Sequence, residues 1–94
     1  MKIEVDTLWQ LIKIDGEIKY RTAQMEIDII KLLIENPNKT ISAERLAEIF
    51  NSTEKSMVAW ISNIRSNYPV IAGCIETVHG KGYRWVEDES GNIK

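Results

Sequence analysis

The sequence is short of most residues that staple, ligate or anchor a protein. It holds one cysteine and one histidine among 94 residues, no net positive charge, and only two prolines. Cys74 alone cannot form a disulfide framework within the chain, and Cys74 with His79 cannot make a zinc site of known spacing, so a reducing, cytoplasmic setting is expected and no metal. No apolar run approaches the ~20 residues of a membrane span, and Met1-Lys2-Ile3-Glu4 does not open a signal peptide, so no membrane partner is expected. Paired carboxylates, a nucleophile-base set and a phosphate loop are all missing, which argues against an enzyme and against a cofactor. Internal repeats, low-complexity segments and linkers are missing too, so residues 1–94 read as a single domain that buries about 60–70% of its unfolded surface.

What is present is organised around Leu46 to Arg65, LAEIFNSTEKSMVAWISNIR. Leu46, Ala47, Ile49 and Phe50 make a short amphipathic helix, Asn51-Ser52 a polar turn, and Thr53 a cap for the next helix. There Met57, Ile61, Ile64 and Tyr68 recur at i, i+4, i+7 and i+11, the spacing of one buried stripe. The opposite side carries Lys55, Ala59, Ser62 and Ser66, flanked by Ser56, Val58, Asn63 and Arg65. A solvated surface helix usually carries Glu/Lys pairs on that side. Small hydrogen-bonding residues suit a helix that lies close against another surface.

The charge summary is acidic, with net charge −2 and pI ≈ 5.4, whereas a nucleic-acid-binding domain is usually basic. Distribution matters more. From Lys39 to Val86 the cations Lys39, Arg45, Lys55, Arg65, Lys81 and Arg84 outnumber Glu44, Glu48, Glu54 and Glu76. Acid gathers in the N-terminal third and in Glu87-Asp88-Glu89.

In chain order, Lys2 to Val5, Leu8 to Ile14 and Glu17 to Arg21 read as strands of an antiparallel meander over residues 1–21. Asp15-Gly16 is a two-residue hairpin signal. Leu11, Ile12, Ile14 and Ile18 offer apolar cover for a helical core. Residues 22–68 then read as three helices, the helix-turn-helix occupying 43–68. The first runs from about Ala23 to Glu35 and stops at Asn36-Pro37-Asn38. Its Glu26 falls inside the apolar arc, but in the first turn, where a carboxylate meets unpaired N–H groups and the helix dipole. Thr40-Ile41 can add a one-rung strand, and Ser42 caps the second helix. After Tyr68-Pro69, Val70 to Cys74 read as a hydrophobic connection. Ile75 to Val78 and Tyr83 to Val86 flank His79-Gly80-Lys81-Gly82, making residues 75–86 a hairpin with a glycine-rich, lysine-bearing tip. Residues 87–94 read as a polar tail.

This order resembles the OmpR/PhoB-type winged-helix DNA-binding domain. Glu26 with Ile27, Ile30 and Leu33 is similar to that family's first helix, and Ile41-Ser42-Ala43-Glu44-Arg45-Leu46 to the start of its second. Trp60-Ile61-Ser62-Asn63-Ile64-Arg65 is similar to its recognition helix, and Thr77-Val78-His79-Gly80-Lys81-Gly82-Tyr83-Arg84 to its wing. The resemblance implies an α+β winged helix-turn-helix, with a three-helix core, N-terminal antiparallel strands and a C-terminal β-hairpin wing. It implies a double-stranded DNA partner for a sequence-specific transcription regulator of bacterial or phage type. These 94 residues hold no receiver domain, so control by phosphorylation within the chain is not expected. The loop between the two motif helices, long in the family and implied there in touching RNA polymerase, is cut to Asn51-Ser52, which favours occlusion over recruitment.

Carried over, the resemblance places Ser56, Asn63 and Arg65 toward the major groove, and His79, Lys81 and Arg84 on backbone or minor groove. Chemistry agrees. Asn pairs bidentately with adenine and Arg with guanine, and Ala59 or Val58 can meet a thymine methyl. Ser52, Thr53 and the helix-start amides can hold a phosphate. The expected DNA-binding set is therefore Thr53, Lys55, Ser56, Ala59, Ser62, Asn63, Arg65, His79, Lys81 and Arg84. Blander alternatives stand beside it. Arg65 can instead pair internally with Glu26 or Glu44, Lys81 can be a solvated lysine, and His79 a plain turn residue. Trp9, Trp60 and Trp85 read as core or sheet cover, Tyr83 as the anchor of the wing base, and Cys74 as an inert buried thiol. One helix and one wing make a modest interface, so a second copy or another protein is an expected partner. The rival reading is a winged-helix module, for instance a phage-encoded inhibitor, that binds protein rather than DNA.

Overall fold

A computed structural model describes residues 1–86; the polar tail expected at 87–94 lies outside the described residues. The elements are β1 (Ile3–Asp6), β2 (Leu11–Ile14), β3 (Glu17–Arg21), α1 (Gln24–Glu35), α2 (Ala43–Ile49), α3 (Glu54–Asn67), α4 (Pro69–Ala72), β4 (Ile75–Val78) and β5 (Gly82–Trp85). β1, β2 and β3 form an antiparallel sheet in sequence order, and β4 pairs antiparallel with β5. Asp15 and Gly16 both take positive φ, at 51° and 87°, the geometry a two-residue hairpin turn needs.

Differences from the expected elements have local causes. The strand expected from Leu8 begins only at Leu11, because Asp6 Oδ1 accepts the Trp9 N–H at 2.9 Å and turns the chain. The hydrophobic connection expected at Val70 to Cys74 opens as a short helical turn, α4. Pro69 stands at its first position, where a missing N–H costs nothing and the ring presets φ. Ile71 of this turn is fully buried, so α4 plugs the core. Of the meander's apolar residues, Ile12 and Ile14 join the core, whereas Leu11 and Ile18 do not. Trp9, expected as cover, is 70% exposed.

The core is built from Ile12, Ile27, Ile29, Ile30, Leu33, Leu46, Met57, Ile61, Ile64, Ile71 and Trp85, with Trp60 and Tyr83 packed at its margin. The i, i+4, i+7, i+11 stripe of α3 is buried throughout, from Met57 to Tyr68.

One polar contact crosses this core. Glu26, only 4% exposed, reaches back to accept the Ala23 N–H at 3.0 Å, as a carboxylate in the first turn does. The same Oε1 accepts the Tyr68 hydroxyl at 2.5 Å, and Oε2 accepts Asn67 Nδ2 at 3.4 Å. Tyr68 in turn stacks obliquely on Tyr20 of β3 (ring centroids 5.1 Å apart), and the Tyr20 hydroxyl accepts the Val70 N–H at 3.3 Å. The start of α1, the end of α3, the start of α4 and strand β3 therefore meet at Glu26 and Tyr68. Burial, and then the Glu26 carboxylate, push the Tyr68 hydroxyl well above its ordinary pKa of 10.0.

Tyr68→Phe removes a charge-assisted hydrogen bond and should lower stability by about 1.5–3 kcal/mol near neutral pH. The sign with pH is fixed by the raised pKa. Unfolded tyrosine gives up its proton first, so this group's contribution is complete below about pH 10 and declines as pH rises, by about 1.4 kcal/mol per pH unit. Denaturant melts at pH 8 to 11 should show the gap between wild type and Tyr68→Phe narrowing above pH 10; parallel curves would contradict the assignment.

Candidate nucleic-acid interface

The two motif helices are joined without slack. Ser42 Oγ accepts the Arg45 N–H at 3.0 Å and starts α2. α2 ends with Asn51 at φ 52°, the Ser52 N–H donating to Ala47 O at 2.8 Å and the Asn51 N–H to Glu48 O at 3.4 Å. That pair of bonds around a left-handed residue is the Schellman stop, and asparagine tolerates it better than most residues. Thr53 Oγ1 then accepts the Ser56 N–H and donates to Ser56 Oγ, both at 3.0 Å. Thr53 thus caps α3 as expected, while the Ser56 hydroxyl keeps its own proton for an outside acceptor.

Along α3 the exposed residues are Glu54, Lys55, Val58, Ala59, Ser62, Asn63, Ser66 and Asn67, of which those from Lys55 to Ser66 are spaced as one stripe. Ser56 is half-buried at its edge. Five of the expected contacts (Thr53, Lys55, Ala59, Ser62 and Asn63) are therefore exposed at the start and along the outer side of this helix. Val58, which the expected set omits, is 48% exposed in mid-stripe. Its wheel position was the available signal.

Arg65 is placed differently. It is half-buried, its guanidinium donates to Ile75 O at 3.1 Å and lies 5.6 Å from the Tyr83 ring centroid. No ion pair to Glu26 or Glu44 forms among the described residues; the arginine ties α3 to the root of the wing instead.

The wing's two glycines have different tasks. Gly80, at φ 74°, makes the tip turn, closed by the Lys81 N–H on Val78 O at 2.9 Å. Gly82, at φ 147°, lies so near the chain before α2 that a Cβ would stand 2.3 Å from Ile41 O. This approach lets Ile41 and Tyr83 exchange backbone hydrogen bonds of 2.8 and 2.9 Å. The expected one-rung strand at Ile41 is thus a single antiparallel bridge to Tyr83 at the edge of the two-stranded wing, and Tyr83 anchors the wing base. His79 and Lys81 are exposed at the tip. Arg84 is turned across the hairpin onto Glu76, to which its guanidinium is ion-paired, and its Nε is buried without an acceptor among the described residues. Cys74 is buried, its thiol 3.7 Å from Val70 O. Among the described residues no group of three His, Cys, Asp or Glu could hold a metal ion, and no helix is long and apolar enough to cross a membrane.

No family model matches the chain, and no curated protein does. Among solved structures it is similar to the DNA-binding domain of the response regulator AdeR, crystallised in complex with an intercistronic region. The likeness has a TM-score of 0.73 at 23% sequence identity, covering 92% of this chain and 95% of that one. The chain therefore has the winged-helix fold of that DNA-binding domain, with one more helical turn, α4, than the three-helix core expected.

The glycines give a direct check. Gly80→Ala meets nothing within 4 Å and should cost only the positive-φ penalty of about 1–2 kcal/mol. Gly82→Ala must push the wing off Ile41 and should cost clearly more, at least about 2 kcal/mol in denaturant melts. Equal costs would mean that the wing is not docked through this approach.

Proposed function

We propose that this protein binds double-stranded DNA in a sequence-dependent way, with the outer stripe of α3 in the major groove and the wing tip on the phosphate backbone. It would act as a transcriptional regulator of bacterial or phage type that works by occupying its site. The observation that carries this reading is the stripe itself. Small, hydrogen-bonding and uncharged side chains line one exposed side of a 14-residue helix, and the only cation in the stripe, Lys55, stands at its N-terminal end. Such a surface approaches a base edge closely and reads it by hydrogen bonds and methyl contacts. Asn63 is the reader of an adenine, Ala59 and Val58 of thymine methyls, with Ser62 and Ser56 adding single hydrogen bonds. Thr53 and the helix start, Lys55, His79 and Lys81 hold phosphates. Arg65 serves by fixing the wing against α3, and Arg84 reaches a phosphate only by leaving Glu76.

The pI of 5.4 and the exposed Val58 and Ile49 favour the second reading, a module whose stripe meets a protein. Salt separates the two. With Lys39, Lys55 and Lys81 as the exposed lysines among the described residues from 39 onward, log affinity for duplex DNA should fall against log salt with a slope of about −3. No binding to duplex DNA at low salt would favour the protein partner.

On a selected duplex, Asn63→Ala should cost about 1–3 kcal/mol and relax preference at one base pair, with little change on random DNA. Lys81→Ala should weaken both duplexes alike and flatten the salt slope by about one unit. If Lys81→Ala altered base preference while Asn63→Ala lowered all affinities equally, the proposed orientation on DNA would be wrong.

A further inference from the structure

Every arginine among the described residues from 39 onward is engaged within the chain. Arg45 pairs with Glu48 on α2, Arg84 with Glu76 across the wing, and Arg65 donates to Ile75 O. The α3 stripe therefore offers no guanidinium, the group that most often reads guanine. What it does offer is sorted across its width. At about 100° per residue, Lys55, Ala59, Ser62 and Ser66 run along its middle, while Val58 and Asn63 stand on opposite edges, about 140° apart. Val58 stands about two turns before Arg65, on the edge that Arg65 ties to the wing. Asn63 is on the far edge. Both are exposed, and between them Ala59 and Ser62 are too short to hold the helix off a surface.

We infer that the duplex this stripe selects has an A·T core whose two strands are read by different chemistries. Asn63 takes an adenine of one strand by hydrogen bonds, and Val58 takes the C5-methyl of a thymine on the other strand, on the wing side. The inference rests on the proposed placing of α3 in the major groove and names the class of duplex bound there. An α-helix nearly fills the width of that groove, so the two edges of the stripe face its two walls, each lined by the bases of one strand. The small residues along the middle let the backbone come close enough for a side chain as short as valine to reach. Thymine is the base that carries a methyl in this groove, and adenine the one whose N6 and N7 match an amide's acceptor and donor. A G·C pair is penalised on both edges. Guanine presents two acceptors, which leaves the Asn63 amide oxygen without a donor. Cytosine would set its N4 amino group against the Val58 methyls, a buried donor left unpaired. With few exposed cations to hold any duplex, these two contacts decide which one is held.

Selection of the full chain against a randomised duplex pool, followed by replacement of thymines with deoxyuridine one at a time, tests this. The selected core should consist of A·T pairs. Deoxyuridine keeps every hydrogen bond of thymine and lacks only the methyl, so one such replacement should weaken binding about fourfold, the worth of one buried methyl group. The sensitive thymine should lie on the strand opposite the adenine whose preference Asn63→Ala relaxes. Val58→Ala, at an exposed helical position and with an unchanged melting temperature, should bind the thymine and deoxyuridine duplexes alike, whereas Asn63→Ala should keep the methyl dependence. A G·C core, a wild type indifferent to deoxyuridine, a sensitive thymine on the adenine's own strand, or a deoxyuridine penalty undiminished in Val58→Ala would overturn the inference while leaving DNA binding intact. A pool from which nothing is retained at low salt would defeat the reading on which it rests, and the inference with it.

Discussion

The hydrogen bond from Tyr68 to Glu26 is the contact on which the remaining geometry depends. Burying a carboxylate costs several kcal/mol unless it is fully bonded, and here an amide of its own helix end, a phenol and a side-chain amide supply the donors. Two of those donors come from the last turn of α3 and its cap. The helix that carries the outer stripe is thus held at its C-terminal end by α1, and Tyr20 extends the same joint into the N-terminal sheet. At its other end α3 is held by the Schellman stop and the Thr53 cap, which leave no slack between α2 and α3. The proposed reading of base edges requires side chains in fixed positions, and both ends of α3 are pinned.

The wing is positioned by a second set of contacts. β5 is paired on both edges, with β4 on one side and with residues 38–41 on the other, where Trp85 O accepts the Asn38 N–H at 2.9 Å. Gly82 permits that inner pairing, and Arg65 bridges α3 to Ile75 O and Tyr83. An arginine on α3 is here spent on aligning helix with wing. On the proposed function this leaves few exposed cations on the α3 and wing surface, which goes with an acidic pI and with hydrogen-bond readout rather than a strong non-specific grip.

Much of this was legible from residue order, and the remainder had identifiable reasons to be hidden. Helix periodicity marked Met57, Ile61, Ile64 and Tyr68 as buried, and turn chemistry marked Asp15-Gly16, Asn51-Ser52 and the wing tip. Glu26 was readable as a first-turn carboxylate, but its bond to Tyr68, 42 residues away, depends on how α1 crosses α3 and has no local signature. Arg65 and Arg84 fall on plausible outward positions, yet long side chains fold back when a carbonyl, an aromatic ring or a carboxylate lies within reach. Trp9 and Ile18 carry the hydrophobicity of core residues, and only the Asp6 turn and the bulge at Lys19 of β3, neither visible in a period-two pattern, turn them outward. The short helix α4 was hidden because four residues cannot display a helical period.

The central claim is that the exposed stripe of α3 and the tip of the wing form one DNA-contacting surface, held in register by the core beneath. Amide chemical-shift mapping during titration with duplex DNA tests it most directly. The account predicts perturbations confined to residues 53–66 and 78–82, with Leu8, Leu11 and Ile18 unmoved. Perturbations concentrated in the N-terminal sheet while Ser62, Asn63 and Lys81 stay unshifted would contradict it.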